Sequence, residues 1–499
     1  VYVFLYFSII SISVFKSIAA AKKTMFAQDS PIRNPTTLHK SLLIICSLIP
    51  LYYLSYRFHP SYGLINSNTH HSKPLQSYTT QKFSSLWLST HLLEPFDPAP
   101  LRAFCANSTW RPHLIFNLAD ANGGVGNVRA EFLDFVFYAI EAGASIILPG
   151  MARRSEAKLF DVWGAGRAEF GMMFDRGWFV EGLREACPEM KIWENVEAIG
   201  APEEVKKVEG MFRPEYPFAR RDTTREKWAE ELEAWLRARG VEIAGKDGVV
   251  LEQATVVEVG RTMWEIDTRE TVLRLRVGLP QVLRLNPDVR AFAGTAMAAL
   301  ESMFHGEFPT PLTPTDRLHQ RAFYGAHLRT EADTVDAGWQ TPCSETECGL
   351  NWTTQTDAYM EHAVSNDLKI IYVASGNASE IERFKVKASS HNPPLTVIDK
   401  WDLLDEPTSA ELKALHWDQQ ALVDLEILMR CSVFGGMAKS SFAFMIAVAR
   451  SAWMEEQGFV MDPWAAKHRE AMVTFEDRFS KIWGRNQLNE ERVPKGAWP

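Results

Sequence analysis

The chain repeats one rhythm: a short, wholly apolar run, a loop of small residues, then a segment with helical period. "HLIFNLA" (113–119) is apolar on both faces, as a strand inside a parallel sheet must be. The loop "ADANGGVGN" follows, and "RAEFLDFVFYAIEAG" then places Phe132, Phe135, Val136 and Ala139 on one helical face before "ASIILPG" resumes as a strand. Strand, loop, helix and strand in about 40 residues predict a βαβ unit and a parallel sheet. The middle is less regular, with amphipathic helices at "REKWAEELEAWLRARG" and "PDVRAFAGTAMAALESMF" before a proline-rich break, "GEFPTPLTPTD". Beyond it the alternation returns in "RAFYGAHLRTEAD", "LKIIYVAS", "LTVID" and "VDLEILMRCSVFGGMAKSSFAFMIAVARS", and no fixed-period repeat is evident. These patterns predict two α/β domains, 111–310 and 311–499, with a cleft between them.

Upstream the pattern differs. Residues 60–110 are rich in His, Ser, Thr and Pro without sustained period and read as a stem. Residues 1–59 hold two apolar stretches, one up to Lys16 and one over 41–56 between Lys40 and Arg57. With a start at Met25, the second becomes a signal anchor that puts the bulk of the chain in the secretory lumen, Golgi or endoplasmic reticulum. Its length, under the roughly 20 residues of a full span, fits a thin early-secretory membrane. Residues 1–24 read either as untranslated upstream sequence or as a leader cleaved near Ser17–Ala21.

Composition narrows the function. With 499 residues, 46% of them hydrophobic, the chain can fill two large cores, and a net charge of −9 argues against a nucleic-acid partner while leaving room for a local basic pocket. Cys343 and Cys348 are spaced for a small disulfide loop and lack the second pair that zinc would need; the pairing of Cys105, Cys187 and Cys431 stays open. Glycan acceptor sequons occur at Asn107, Asn351 and Asn377.

Three loops carry candidate chemistry. Gly123, Gly124 and Gly126 allow close backbone approach ahead of a helix N-terminus, in a spacing that misses the dinucleotide fingerprint; a tight turn without ligand is the plainer reading. A strand carried through His327, Arg329, Glu331 and Asp333 would put all four on one face, with Arg329 offering a donor fork for phosphate unless it pairs with the acids. In "FGGMAKSSF" the amides after Gly436 and the hydroxyls of Ser440 and Ser441 can face an anion, with Ser440 alternatively a helix N-cap.

Together "GGVGNVRAEF", "GAHLRTEAD" and "VDLEILMRCSVFGGMAKSSFAF" resemble the GDP-fucose protein O-fucosyltransferases and related fucosyltransferases. The resemblance runs in order over about 112–455, with nothing to match in 190–310. It implies an α/β fold of GT-B type, two Rossmann-like domains facing across a cleft behind the anchor and stem, using GDP-fucose as donor without a metal. It further implies Asn127 in the catalytic cleft and Arg329 against the diphosphate. Asp424 would accept from the guanine edge, Ser440, Ser441 and Phe442 would hold β-phosphate and fucose, and His327 would support them. The reaction implied is inverting transfer to an acceptor hydroxyl, a Ser or Thr of a secretory-pathway protein or a glycan. Where one branch places a glutamate base this chain has Gly124, which leaves Glu331 and Asp333 as base candidates or as groups that orient Arg329. Another nucleotide sugar, or nucleotide binding without turnover, are the competing readings; an oxidoreductase lacks the ligand pairs and fingerprint.

Overall fold

The computed structural model describes residues 80–89 and 96–499, except 157–158, 160, 162–163, 212–224, 242–252, 263, 265, 270, 339–349, 460–461, 466–471 and 486–495. All belong to one compact unit that begins at Gln76. Residues 1–24, the apolar run 41–56 with Cys46, and Cys343 and Cys348 lie outside the described residues. Among the described residues no helix is long and apolar enough to cross a membrane.

The first half runs α1 (Thr80–Ser89), α2 (Ala99–Ala106), β1 (Arg111–Asn117), α3 (Val125–Ala142), β2 (Ala144–Ile147), β3 (Met151–Ala152), β4 (Arg167–Ala168), α4 (Arg176–Ala186), β5 (Ile192–Trp193), β6 (Val205–Met211), α5 (Arg225–Arg237), β7 (Ala254–Val259), α6 (Leu273–Gly278) and α7 (Pro287–Met303). Its sheet has the order β5-β2-β1-β7-β6, with every pairing parallel. The segment without a counterpart in the resemblance thus supplies three of these strands.

The second half runs β8 (Tyr324–His327), α8 (Ala332–Asp336), α9 (Trp352–Ser365), β9 (Ile370–Ala374), α10 (Ala378–Ser389), β10 (Thr396–Ile398), α11 (Lys400–Leu403), α12 (Glu406–Lys413), α13 (Trp417–Arg430), β11 (Val433–Met437), α14 (Ser441–Glu456), β12 (Val473–Glu476) and β13 (Ser480–Trp483). Its sheet, β10-β9-β8-β11-β13-β12, is parallel except for the β12–β13 pair. The chain starts in the middle at β8, winds outward through β9 and β10, then crosses to β11 on the other side. The switch in winding direction lies between β8 and β11, where open α/β sheets bind ligands. The first sheet switches likewise between β1 and β7.

The stretch read as stem holds two helices at Thr80–Ser89 and Ala99–Ala106, and residues 60–79 lie outside the described residues. Phe83 and Trp87 of α1 are buried, the guanidinium of Arg430 in α13 lies 3.7 Å from the centre of the Trp87 ring, and Arg290 of α7 donates to the Trp87 carbonyl. Arg430 in turn pairs with Glu426 at 2.5 Å, so a buried ion pair and a stacked indole join α1, α7 and α13. Ser and Thr punctuation hid a short amphipathic helix whose partners lie more than 200 residues downstream.

α3 starts at Gly124 with no side-chain cap and ends at Gly143, whose φ of 64° is left-handed; a Cβ there would stand 1.9 Å from the Thr109 carbonyl oxygen. Cys105 of α2 and Cys187, just past α4, form a disulfide, and Cys431 is buried and free. At the far end of the chain, residues 496–499 return to the first half. Ala497 accepts from Thr268, the indole of Trp498 donates to Asp134 of α3 at 2.6 Å, and Arg129 of α3 donates to the Trp498 carbonyl.

Candidate active site

The carboxyl ends of β1, β8, β9, β10 and β11 converge on one cavity of about 570 Å³. Gly123, Gly124, Gly126 and Asn127 line it from the first half. His327, Arg329, Glu331, Asp333, Asp424, Ser440, Ser441 and Phe442 line it from the second. Gly436 does not: it sits in β11, where a Cβ would meet that of Ala443 at 2.6 Å, so its small size serves packing of α14 on the strand.

The glycine loop closes on protein. A Cβ at Gly126 would lie 2.8 Å from the Ser441 carbonyl carbon and oxygen and 2.9 Å from the Phe442 nitrogen, so the start of α3 rests on the start of α14 across the cleft. Gly123 turns with φ +100°, beneath the Asn127 side chain, and Gly124 lies against the Arg154 guanidinium. The Oδ1 atom of Asn127 is buried with no hydrogen-bond partner, an acceptor left for something in the cavity.

The second loop departs from the sequence expectation. β8 ends at His327, and Arg329 is reached by Glu331, at the N-cap of α8, and by Asp333, in its first turn. What gathers them is an ion-pair cluster. Arg329 Nη1 donates to Asp333 Oδ1 at 2.8 Å, Nη2 to Asp333 Oδ2 at 2.5 Å, and Nη1 also to Glu331. Glu331 accepts from the Gly376 amide at 2.8 Å, tying Arg329 to the β9–α10 turn, while Gln355 brackets the Arg329 backbone with bonds to both its N–H and its carbonyl. Burial works against both charges, but the carboxylates outweigh it at Arg329, which titrates above its usual range, and Arg329 outweighs it at Glu331, which stays below the usual carboxylate value. Glu331 and Asp333 therefore hold a guanidinium in place, and an ionised, engaged carboxylate is a weak base.

At the switch point the ring of His327 bridges β8 to α14. Its Nδ1 lies 3.2 Å from Ser440 Oγ, its ring centre 4.8 Å from that of Phe442, and the Tyr359 hydroxyl donates to its carbonyl at 2.8 Å. Burial lowers its pKa to about 4, so the imidazole is neutral at physiological pH. Ser440 also N-caps α14, accepting from the Ala443 amide, so the capping reading of this serine is correct and compatible with a place in the cavity.

Asp424 is buried in α13 and already engaged. The Tyr372 hydroxyl donates to Oδ1 at 2.7 Å and Lys400 Nζ to Oδ2 at 2.5 Å. A carboxylate has about four acceptor positions, so two remain for a ligand. Lys400, Tyr372 and Arg154 escaped the sequence reading. Lys400 follows "LTVID" directly, and searching the residue after every parallel strand would have found it. Arg154 binds Asp418 of α13 through Nε at 2.9 Å and Nη2 at 2.6 Å. With side chains 14% and 1% exposed, this pair bridges the halves at the cavity wall. Among the described residues no three His, Cys, Asp or Glu side chains are placed to hold a metal ion.

The sequence profile described as GDP-fucose protein O-fucosyltransferase matches residues 114–452, from within β1 through every cavity loop to the last turn of α14. Among solved structures, the chain is similar to POFUT1 in complex with GDP at 12% identity and a TM-score of 0.42, over 75% of this chain and 99% of that one. It is also similar to the fucosyltransferase NodZ from Bradyrhizobium at 14% identity and a TM-score of 0.34, over 69% and 93%. No curated protein matches the chain significantly. On the extent of the profile match, this chain belongs to the GDP-fucose protein O-fucosyltransferase family and is a glycosyltransferase.

Proposed function

We propose that this protein transfers fucose from GDP-fucose, with inversion, to the hydroxyl of a Ser or Thr in a secretory-pathway protein. The observation that carries the reading is Arg329, fixed by Asp333 and Glu331 at the end of β8 and facing the capped start of α14 across the switch point. A diphosphate laid there meets a guanidinium on one side and helix-start amides on the other, the donor set that a leaving nucleotide needs. Ser440, Ser441 and Phe442 line the β-phosphate and fucose end. Asp424 and Lys400 together present an acceptor and a cation suited to the guanine edge. Asn127, with its free acceptor oxygen, stands where the incoming hydroxyl attacks the sugar carbon opposite GDP. Engaged as they are, Glu331 and Asp333 act by positioning Arg329.

The lumenal setting draws support from the Cys105–Cys187 disulfide, since such bonds persist in oxidising compartments, and from the exposed Asn107 sequon. An anchor within 41–56 and no resident metal complete the proposal. Calorimetric titration with GDP and UDP, followed by GDP-fucose turnover, tests it. Selective GDP binding is expected, with turnover falling about a hundredfold in Arg329→Ala and recovering in part in Arg329→Lys. Equal affinity for UDP, or normal turnover in Arg329→Ala, would refute it.

A further inference from the structure

The donor cavity does not end at the nucleotide loops. It continues into a second cavity of about 340 Å³ that shares Arg154, Glu156, Lys413, Trp417 and Gln420 with it and adds Arg153 and His416. One wall is the turn after β3, in the first half; the other is the α12–α13 turn, in the second. The Arg154–Asp418 pair ties the two walls together.

Its charges are unevenly spent. Asp418 is consumed by Arg154, and Glu156 is exposed at the rim. Arg153 has no carboxylate partner among the described residues. Its Nη1 lies 3.3 Å from His416 Nε2, and because a guanidinium only donates, that nitrogen is placed to accept. The Nε atom of Arg153 is buried with no partner at all. Lys413, also without a carboxylate, hangs 5.1 Å from the centre of the Trp401 ring. Two cations without a carboxylate partner, in a chain of net charge −9, form a local exception to its overall negative charge.

We infer that this groove is the acceptor subsite and that it takes a peptide segment with carboxylates beside the acceptor hydroxyl. Arg153 makes the charge-assisted contact, and its position beyond the donor cavity leaves the hydroxyl at the junction, where Glu156 and Arg154 line both spaces. The inference rests on the proposed transfer to a protein acceptor and adds which peptide is preferred.

The test measures binding of two fluorescein-labelled peptides to the GDP-loaded full chain. One holds Thr flanked by Asp, the other is identical with Asn for each Asp. The wild type should bind the Asp peptide about tenfold more tightly, as one charge-assisted hydrogen bond provides. Arg153→Gln should reduce that preference below about twofold, and Arg153→Glu should reverse it. Equal binding of both peptides by the wild type, or an Asp preference that survives in Arg153→Gln, would overturn the assignment. So would displacement of the Asp peptide by an oligogalacturonate more readily than by the unlabelled peptide itself. A GDP titration of the same preparation separates the two levels: intact GDP binding without peptide discrimination sinks the groove alone, whereas no GDP binding sinks the donor reading on which it rests.

Discussion

Gly126 offers the sharpest test of how the two halves meet. Replacing it with Ala puts a methyl group 2.8 Å from the Ser441 carbonyl, some 0.6 Å inside the 3.4 Å of an ordinary van der Waals contact, against backbone that cannot rotate away. Two opposed terms set the stability change. Alanine in a helix is favoured over glycine by about 1 kcal/mol, and overpacking costs about 1–3 kcal/mol, so the net destabilisation is at most about 2 kcal/mol. The effect on turnover is larger. A shift of about 0.6 Å between α3 and α14 separates Asn127 from Ser441 and Phe442, and since a misplacement of about 1 Å costs about a hundredfold, kcat should fall at least about tenfold. The assay pairs thermal melting with steady-state GDP release, with Gly171→Ala as control because a Cβ there meets nothing within 4 Å. A Gly126→Ala protein with wild-type kcat and donor KM would refute the contact between the glycine loop and α14.

Three further outcomes are expected. Lys400→Met should weaken GDP binding and destabilise the fold by about 3 kcal/mol or more, because it strands the buried Asp424 carboxylate; Lys400→Met with Asp424→Leu should recover stability without recovering GDP affinity, as melting and calorimetry would show. Burial raises the Glu131 carboxyl to about 8 despite Arg261, so the folded chain holds that proton more tightly than the unfolded one. Its contribution is complete below pH about 4.5 and lost as pH rises to about 8, at up to about 1.4 kcal/mol per unit, and the difference in stability between the wild type and Glu131→Gln should change with pH over this window by that amount. Replacing Cys105 and Cys187 with Ser together opens a loop closed over a separation of 82 residues, and chain entropy sets the loss at about 4–5 kcal/mol, readable as a lower denaturation midpoint.

The parts of the molecule visible in its sequence are those set by local chemistry. β1, the glycine loop, α3 and β2 are legible because an apolar run, three glycines and a helical period follow one another without interruption. β11 and the Ser440 cap are legible for the same reason. Failures begin where the cause is distant. His327 to Asp333 alternate like a strand, but the ion pair with Arg329 holds Asp333 in a helical turn that the alternation does not foresee. Arg154 and Asp418 are separated by 264 positions, and neither carries a mark of its partner. Tyr372 looks like one more apolar strand residue until Asp424 is placed beside its hydroxyl. The helix Thr80–Ser89 is short, polar at both ends, and held by residues of α7 and α13.

The return of residues 496–499 to the first half alters how the cleft can work. With Trp498 bonded to Asp134 and Ala497 to Thr268, the halves are joined both through the segment between α7 and β8 and through the end of the second half. A second tie of this kind favours shear, a small sliding of α3 against α14, over a free hinge, and under the proposed function GDP would leave without wide opening. Exchange of product for fresh donor would then be paced by side chains such as Arg154 letting go of Asp418, and a weakened latch there should quicken GDP release even as it loosens the grip on the donor.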